Sequence, residues 1–283
     1  MKKMTKSQIR KTAKEYSKLS TDWKVFVAFL LIAILIGGGA YYYFAIYKKQ
    51  TPALAEGQLS IHFLELGNNY TGDCVYIKAG DTDIIVDGGS RTSSVSTIRG
   101  YVDQYVNDGK LEYVIITHAH QDHIAAWGGD NTNGSLFDFY DVSTIIDFSL
   151  ANSTSGIYTK YLEKRDAEVE NGAKHYTALE CYNNQNGAQR EYTISDGITL
   201  QFLYNYYYEN TTSNENNYSV CFMINQGSNH YLFTGDLEEG AEKKLVQNFR
   251  KCSTLEKQLV EVLCEKAATD FDLSKISSLL GLK

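Results

Sequence analysis

Thr117-His118-Ala119-His120-Gln121-Asp122-His123 directly follows Glu112-Tyr113-Val114-Ile115-Ile116, a nearly continuous apolar run. Such a run reads as a strand buried on both faces, as in the interior of a parallel sheet. Packing gives no reason for three imidazoles and a carboxylate to crowd between positions 118 and 123. Side chains two apart on an extended segment share a face, so His118 and His120 can converge on one ion. Asp122 and His123 fall past the turn, where the start of a helix aims them at a neighbouring ion. Imidazole and carboxylate are natural zinc ligands, and open coordination positions make a site catalytic. They also suit manganese and iron, so the residue types leave the ion open.

Working outward, residues 58–66 (QLSIHFLEL) alternate toward a strand, and residues 67–72 (GNNYTG) are turn chemistry. Residues 73–79 and 82–87 read as two strands of a hairpin around Gly80-Asp81, the second running into Asp87-Gly88-Gly89. The spacing of Ile98, Val102, Tyr105 and Val106 predicts a helix over 93–107. Downstream, 130–141 reads as a loop, 142–148 as a strand and 157–170 as a charged helix. Further strand sequence lies in 192–204 and 218–235, separated by a Tyr/Asn-rich loop. Helical composition follows in 238–250 and 254–268. The 22 tyrosines and single proline among 283 residues agree with a β-rich core rather than disorder.

Charge is unevenly distributed. Residues 1–50 carry 10 Lys/Arg against Glu15 and Asp22, whereas the remainder carries 17 against 32 acids. An acidic domain repels polyanions, which disfavours generic nucleic-acid coating but not a metal-guided reaction on a phosphodiester. Cys74, Cys181, Cys221, Cys252 and Cys264 form no CxxC pair, so a zinc ribbon is excluded and they read mainly as small core residues.

Residues 25–47 (VFVAFLLIAILIGGGAYYYFAIY) hold no charge. As a helix they extend about 35 Å, enough to cross a bilayer. Trp23 marks one end and Tyr41, Tyr42, Tyr43 and Tyr47 the other, as interfacial aromatics do. Eight Lys/Arg precede the span and only Lys48 and Lys49 closely follow it. The positive-inside rule then puts the N-terminus in the cytoplasm and the domain outside, as a single-pass cell-membrane protein. Ala53-Leu54-Ala55 resembles a signal-peptidase site, but the apolar stretch is longer than a signal peptide's core of about 7–15 residues. The expected organisation is a basic tail (1–24), a transmembrane helix (25–47), a linker (48–57) and one domain (58–283).

His118-x-His120-x-Asp122-His123, with Asp87-Gly88-Gly89 upstream and Thr234-Gly235-Asp236 downstream, resembles the metallo-β-lactamase superfamily. The opening Ile61-His62-Phe63-Leu64-Glu65-Leu66-Gly67, and Asn216-Asn217-Tyr218-Ser219-Val220 before Asp236, are more similar to the extracellular hydrolase domain of ComEC-type competence proteins. The resemblance covers roughly residues 58–250. It implies an α/β fold, an αββα sandwich with the metal site at one edge of two facing sheets. It implies Zn2+ or Mn2+, one or two ions: one on His118 and His120, a second on Asp122 and His123, with Asp236 bridging. Asp87 would support the ligand loop from beneath.

Two departures accompany the resemblance. A standard member supplies a third histidine before the strand leading to TGD, where this chain reads Asn214-Glu215-Asn216-Asn217. The competence-type subgroup completes its second site with a histidine after TGD, whereas residues 252–283 contain none. A truncated, shifted or divergent C-terminus is therefore expected, with Glu215 and Asn217 as substitute ligands. His62, His175 and His230 read as structural or surface residues. The function implied is metal-dependent hydrolysis of a phosphodiester, small-molecule or nucleic acid, with Asp122 or Asp236 orienting the attacking water. A lactone, thioester or β-lactam hydrolase is the alternative chemistry, and a surface binding protein with a crippled site is the alternative class.

Overall fold

The computed structural model describes residues 54–67 and 72–249, together with isolated positions 23, 25, 26, 32, 33 and 36. The chain divides into two compact units, Met1–Thr51 and Pro52–Lys283. In the first, the six described positions are helical, and Trp23, Val25, Phe26, Ile32 and Ile36 are exposed. Most of the expected span 25–47 lies outside the described residues. Among the described residues no helix is long and apolar enough to cross a membrane.

Among the described residues the second unit contains two sheets. The larger runs in the order β1 (Leu59–Phe63), β2 (Val75–Ala79), β3 (Thr82–Val86), β4 (Lys110–Ile115), β5 (Asp141–Asp147) and β6 (Lys174–Thr177). Its first three strands are antiparallel neighbours, while β3 through β6 pair in parallel. The smaller has the order β10 (Asn229–Phe233), β9 (Phe222–Gln226), β8 (Ile198–Phe202) and β7 (Glu191–Ser195), all antiparallel. The α-helices among its described residues are α1 (Ser94–Val102), α2 (Gln121–Gly128), α3 (Gly156–Glu170), α4 (Ala178–Asn183) and α5 (Glu239–Phe249).

Strand periodicity explains how the layers stack. Phe222 and Ile224 join a core shared with Ile77, Ile84, Val114, Ile198, Leu200 and Phe202, drawn from both sheets. Their neighbours Cys221 and Met223 point the other way and pack with Leu237, Ala241, Leu245 and Val246 on and just before α5. A period of two thus lets one strand serve two layers. Ile98 and Val102 of α1, Ile124 and Trp127 of α2 and Tyr161 of α3 belong to the shared core cluster. The result is a mixed α/β arrangement of two facing sheets with helices packed on them.

The expected helix 93–107 ends at Val102, because Asp103 caps it and residues 103–109 turn toward β4. Sequence 192–204 splits into a hairpin turning at Gly197 (φ 66°), and 218–235 into one turning at Gly227 (φ 58°). The expected helix 254–268 and the expected C-terminal divergence lie outside the described residues.

At the carboxyl end of β5, Asp147 is fully buried and accepts hydrogen bonds from Tyr161 Oη (2.8 Å) and Arg165 Nη1 (2.9 Å), with His175 Nε2 at 2.8 Å. Burial works against its charge, but His175 and Arg165 outweigh that and hold its pKa below the ordinary carboxylate value. A depressed folded pKa gives stability that is present above the unfolded pKa, about 3.9, and lost as pH falls through the lower folded value. Asp147→Asn should lower the unfolding free energy at pH 7 by about 3–5 kcal/mol, since Arg165 loses its buried partner. The acid limb of the stability curve below about pH 4 should flatten in the variant. Urea melts at pH 3 and pH 7 check both; an unchanged acid limb would remove Asp147 from the account.

Candidate metal centre

The motif residues meet at the carboxyl ends of β3, β4 and β10, the edge where open α/β sheets place ligands. Asp87 follows β3, His118 and His120 follow β4, His123 sits in the first turn of α2, and Asp236 follows β10. Asp87 takes a left-handed backbone conformation (φ 59°), strained for a residue other than glycine. Gly88 is required beside it: a Cβ there would lie 2.5 Å from Trp127 Cδ1. The close approach lets Trp127 Nε1 donate to the Asp87 carbonyl at 3.1 Å.

One carboxylate organises the ligand loop. Asp87 Oδ1 accepts from the Thr117 backbone N–H at 2.8 Å, and Oδ2 accepts from Thr117 Oγ1 at 2.8 Å. Oδ2 also pairs with His123 Nδ1 at 2.8 Å. With Nδ1 committed to Asp87, His123 presents Nε2 to Asp236 Oδ2 at 3.4 Å and to Asp122 Oδ1 at 4.0 Å. Fixing one ring nitrogen in this way decides which one is left for a ligand. Gly235 (φ 53°) brings Asp236 in close: a Cβ there would lie 2.8 Å from Ser219 Oγ and 2.9 Å from Thr117 Cβ.

His118 Nε2 and His120 Nδ1 lie 3.0 Å apart, so both rings turn a nitrogen to one point. Ligand atoms of His118, His123 and Asp236 all fall within 4.8 Å of one another. This group draws one histidine from each of the two expected sites and includes Asp236. Asp122 and Asp236 keep side-chain exposures of 40% and 36%, whereas His118 and His123 are buried, so the site opens on its carboxylate side.

The electrostatics suit a cation. Burial, then the charge on His123, pushes the His118 pKa well below its ordinary value, which leaves a neutral ligand. Burial also opposes charge on His123, but Asp87 and Asp236 prevail and hold it up at about 11. The hydrogen bond with His123 lowers the Asp236 pKa. In the ion-free site His123 thus carries a proton that a metal must displace. Calorimetry near pH 7.5, in buffers of different ionisation enthalpy, should show about one proton released per ion bound at His123. Apparent affinity should weaken by up to about tenfold for each pH unit lowered, because His123 lies below its pKa throughout that range. Binding without proton release would contradict this charge state.

Sequence reasoning missed Asp73, read only as the start of a strand. Burial raises its pKa, the His123 charge lowers it, and Asp87, Asp236 and Asp122 raise it again, so it lies within electrostatic reach of the cluster. Its N–H donates to the Asp122 carbonyl (3.1 Å) and its carbonyl accepts from Gly89 N–H (2.8 Å). The turn residues Thr71-Gly72 before it were the available signal.

Glu215 lies outside the convergent group of His118, His123 and Asp236, and its Oε2 accepts from Asn152 N–H at 2.6 Å. The Asn217 backbone carbonyl accepts from Asn205 Nδ2 at 2.8 Å, while its side-chain Oδ1 is buried without a hydrogen-bond partner among the described residues. The residue between them, Asn216, faces His118. His62 bonds Tyr101 and Ser60, His175 bonds Asp147, and His230 bonds Asn225, each away from the cluster. Cys74, Cys181 and Cys221 are buried free thiols.

The family model of the metallo-beta-lactamase superfamily matches residues 67–129, the stretch from Gly67 through the end of α2. A search of curated proteins finds no match. Among solved structures, the metallo-beta-lactamase fold protein YhfI from Bacillus subtilis is 17% identical over 63% of this chain, with a TM-score of 0.36. This chain spans 62% of that protein's length. A metallo-beta-lactamase from Hirschia baltica is 16% identical, with 62% of this chain and 65% of that one covered and a TM-score of 0.29. A Cronobacter sakazakii metallo-beta-lactamase with a HARLDQ motif is 11% identical, with coverages of 77% and 90% and a TM-score of 0.35. The matched segment supplies the Asp87 loop and the histidine cluster, and the fold that carries it is mixed α/β and metallo-beta-lactamase-like.

Proposed function

We propose that the protein is a metal-dependent hydrolase of phosphodiesters, nucleic acid among them, held at the cell membrane with its domain outside. The observation that carries the hydrolase reading is the convergence of His118, His123 and Asp236 within 4.8 Å, with His123 oriented by a buried carboxylate. Three imidazoles and the carboxylates Asp122 and Asp236 form a donor set suited to one or two divalent ions, Zn2+ or Mn2+. A divalent ion there lowers the pKa of bound water toward about 7 and draws off developing negative charge. His118, His120, His123 and Asp236 would hold it, with Asp122 beside the second position. Asp122, somewhat more exposed than Asp236, is placed to orient the attacking water and accept its proton. Asp87 and Thr117 hold the ligand loop and take no part in proton transfer.

The phosphodiester assignment rests on the ComEC-type likeness of residues 61–67 and 216–236, since a fold alone hosts many chemistries. The anchor rests on the uncharged stretch 25–47 and its lysine asymmetry, supported by the exposure of Val25, Phe26, Ile32 and Ile36. The test is hydrolysis of an activated phosphodiester, an oligonucleotide, a lactone, a thioester and a β-lactam by the purified chain with Mn2+ or Zn2+. Metal-dependent cleavage of the first two is expected. Turnover confined to the carboxylic substrates would replace the substrate class, and none at all would favour the binding-protein class. Protease added to intact cells should remove the domain and spare the N-terminal tail; a protected domain would reverse the orientation.

A further inference from the structure

Asn216 lies in a 3-10 turn, Glu215–Tyr218, that precedes β9. Its backbone is pinned on both sides. The N–H donates to Asn214 Oδ1 at 3.1 Å, and the carbonyl accepts from Ser219 N–H (3.1 Å) and Ser219 Oγ (2.7 Å). The same Ser219 hydroxyl oxygen accepts from the Asp236 N–H at 3.2 Å. One residue on, Val220 N–H donates to the Thr117 carbonyl at 2.9 Å. The turn is thus tied directly to the loops that carry His118 and Asp236.

The side chain is oriented as well. Nδ2 donates to Glu238 Oε1 at 3.2 Å, and only the NH2 end of an amide can serve a carboxylate there. That assignment sends Oδ1 the opposite way, inward, beside His118. Oδ1 is fully shielded from solvent, and among the described residues no donor meets it in hydrogen-bond geometry. A buried carbonyl oxygen without a partner is costly, and such atoms call for a specific explanation. The His118 ring nitrogens are already engaged, Nδ1 with Thr117 Oγ1 at 3.1 Å and Nε2 with His120 Nδ1 at 3.0 Å.

We propose that Asn216 Oδ1 is an amide-oxygen ligand of the ion held by His118 and His120, and that it biases this position toward manganese over zinc. The inference rests on the metal-hydrolase reading above. An amide oxygen is a neutral, hard donor, so it completes a site of two imidazoles and the Asp236 carboxylate without adding charge. Oxygen-rich sets favour Mn2+, whereas imidazole- and sulfur-rich sets favour Zn2+. The side chain waits in position, its far end clamped by Glu238 and its backbone by Ser219, so little ordering is needed when the ion binds.

The experiment measures Mn2+ and Zn2+ stoichiometry and affinity by calorimetry and elemental analysis. It uses the full chain, as wild type and as Asn216→Ala, Asn216→Asp and Asn216→His, with thermal melts of each metal-free protein. Asn216→Ala should weaken Mn2+ binding at one position by at least ~10-fold while the metal-free melt stays cooperative near the wild-type midpoint. Asn216→Asp, which keeps the oxygen, should restore the affinity. Asn216→His should shift the preference toward zinc. Wild-type affinity in Asn216→Ala would overturn the ligand assignment and leave the hydrolase reading intact. A metal loss that Asn216→Asp does not rescue, accompanied by a lowered melt, would make Asn216 a structural residue and also overturn it. A wild-type chain that takes up neither ion would overturn both readings.

Discussion

Replacing His118 and His120 together by alanine should leave the domain with almost no bound transition metal and reduce hydrolysis by about a thousandfold or more. The size follows from what the two rings contribute. His118 is buried and neutral, and its Nε2 lies 3.0 Å from His120 Nδ1, so the two lone pairs meet at one point. Only His123 among the other described imidazoles lies close, and alone with Asp236 it offers a poorer set than with His118 beside it; His62, His175 and His230 are engaged elsewhere. Without an ion the attacking water keeps a pKa near 15.7 instead of about 7. A thousandfold loss corresponds to about 4 kcal/mol of transition-state stabilisation. Elemental analysis and a phosphodiester assay on the two purified proteins check both parts. A cooperative thermal melt in the variant guards against simple unfolding, since removing the His118 ring leaves a cavity. Equal metal in both proteins would show that the ion sits elsewhere. Near-zero metal in both would sink the hydrolase reading.

The histidine cluster was legible because its residue types are too expensive to bury without a purpose and because they follow a strongly apolar strand. The two faces of β9 were legible in part: alternation marks a strand, but not that Cys221 and Met223 would meet a helix. The four-residue strand β6, Lys174–Thr177, escaped notice because Lys-His-Tyr-Thr has no apolar alternation. It forms because β5 offers a parallel partner and Asp147 captures His175, both non-local causes. Asp73 and Asn216 were missed for the same reason. Each lies in polar turn sequence, where an acid or an amide is ordinary, and each gains its meaning only when chain folding brings His118 and His123 alongside. Glu215 and Asn217 were singled out from the same neighbourhood, a 3-10 turn in which adjacent side chains are rotated by roughly 120°, and within it Asn216 is the residue set beside His118.

Asp87→Ala should lower both stability and metal affinity, and Asp87→Asn should separate the two effects. The carboxylate is 3% exposed and serves three donors at once: Thr117 N–H, Thr117 Oγ1 and His123 Nδ1. Alanine leaves the Thr117 amide unpaired and His123 without the charge that keeps it protonated, in a backbone conformation that favours asparagine or glycine. Breaking such a buried pair costs about 3–5 kcal/mol, which a urea melt of the metal-free protein reads directly. Asparagine preserves the left-handed backbone and can still accept from Thr117 N–H through its carbonyl. Its NH2 end, however, donates where the carboxylate accepted, so it meets the Thr117 hydroxyl and His123 Nδ1 as a donor. His123 must then present Nδ1 as an acceptor and carry its proton on Nε2, the nitrogen that faces Asp236. That is the wrong tautomer for holding an ion beside Asp236 and Asp122. Asp87→Asn is therefore expected to fold with a smaller stability loss than Asp87→Ala and still bind metal about 10–100-fold more weakly. Its proton release on binding should also differ, because the Asp87 charge no longer holds the His123 pKa up at about 11. Should Asp87→Asn bind metal as tightly as wild type, Asp87 would be a fold-stabilising acid only, and the orientation of His123 would have to come from Asp236.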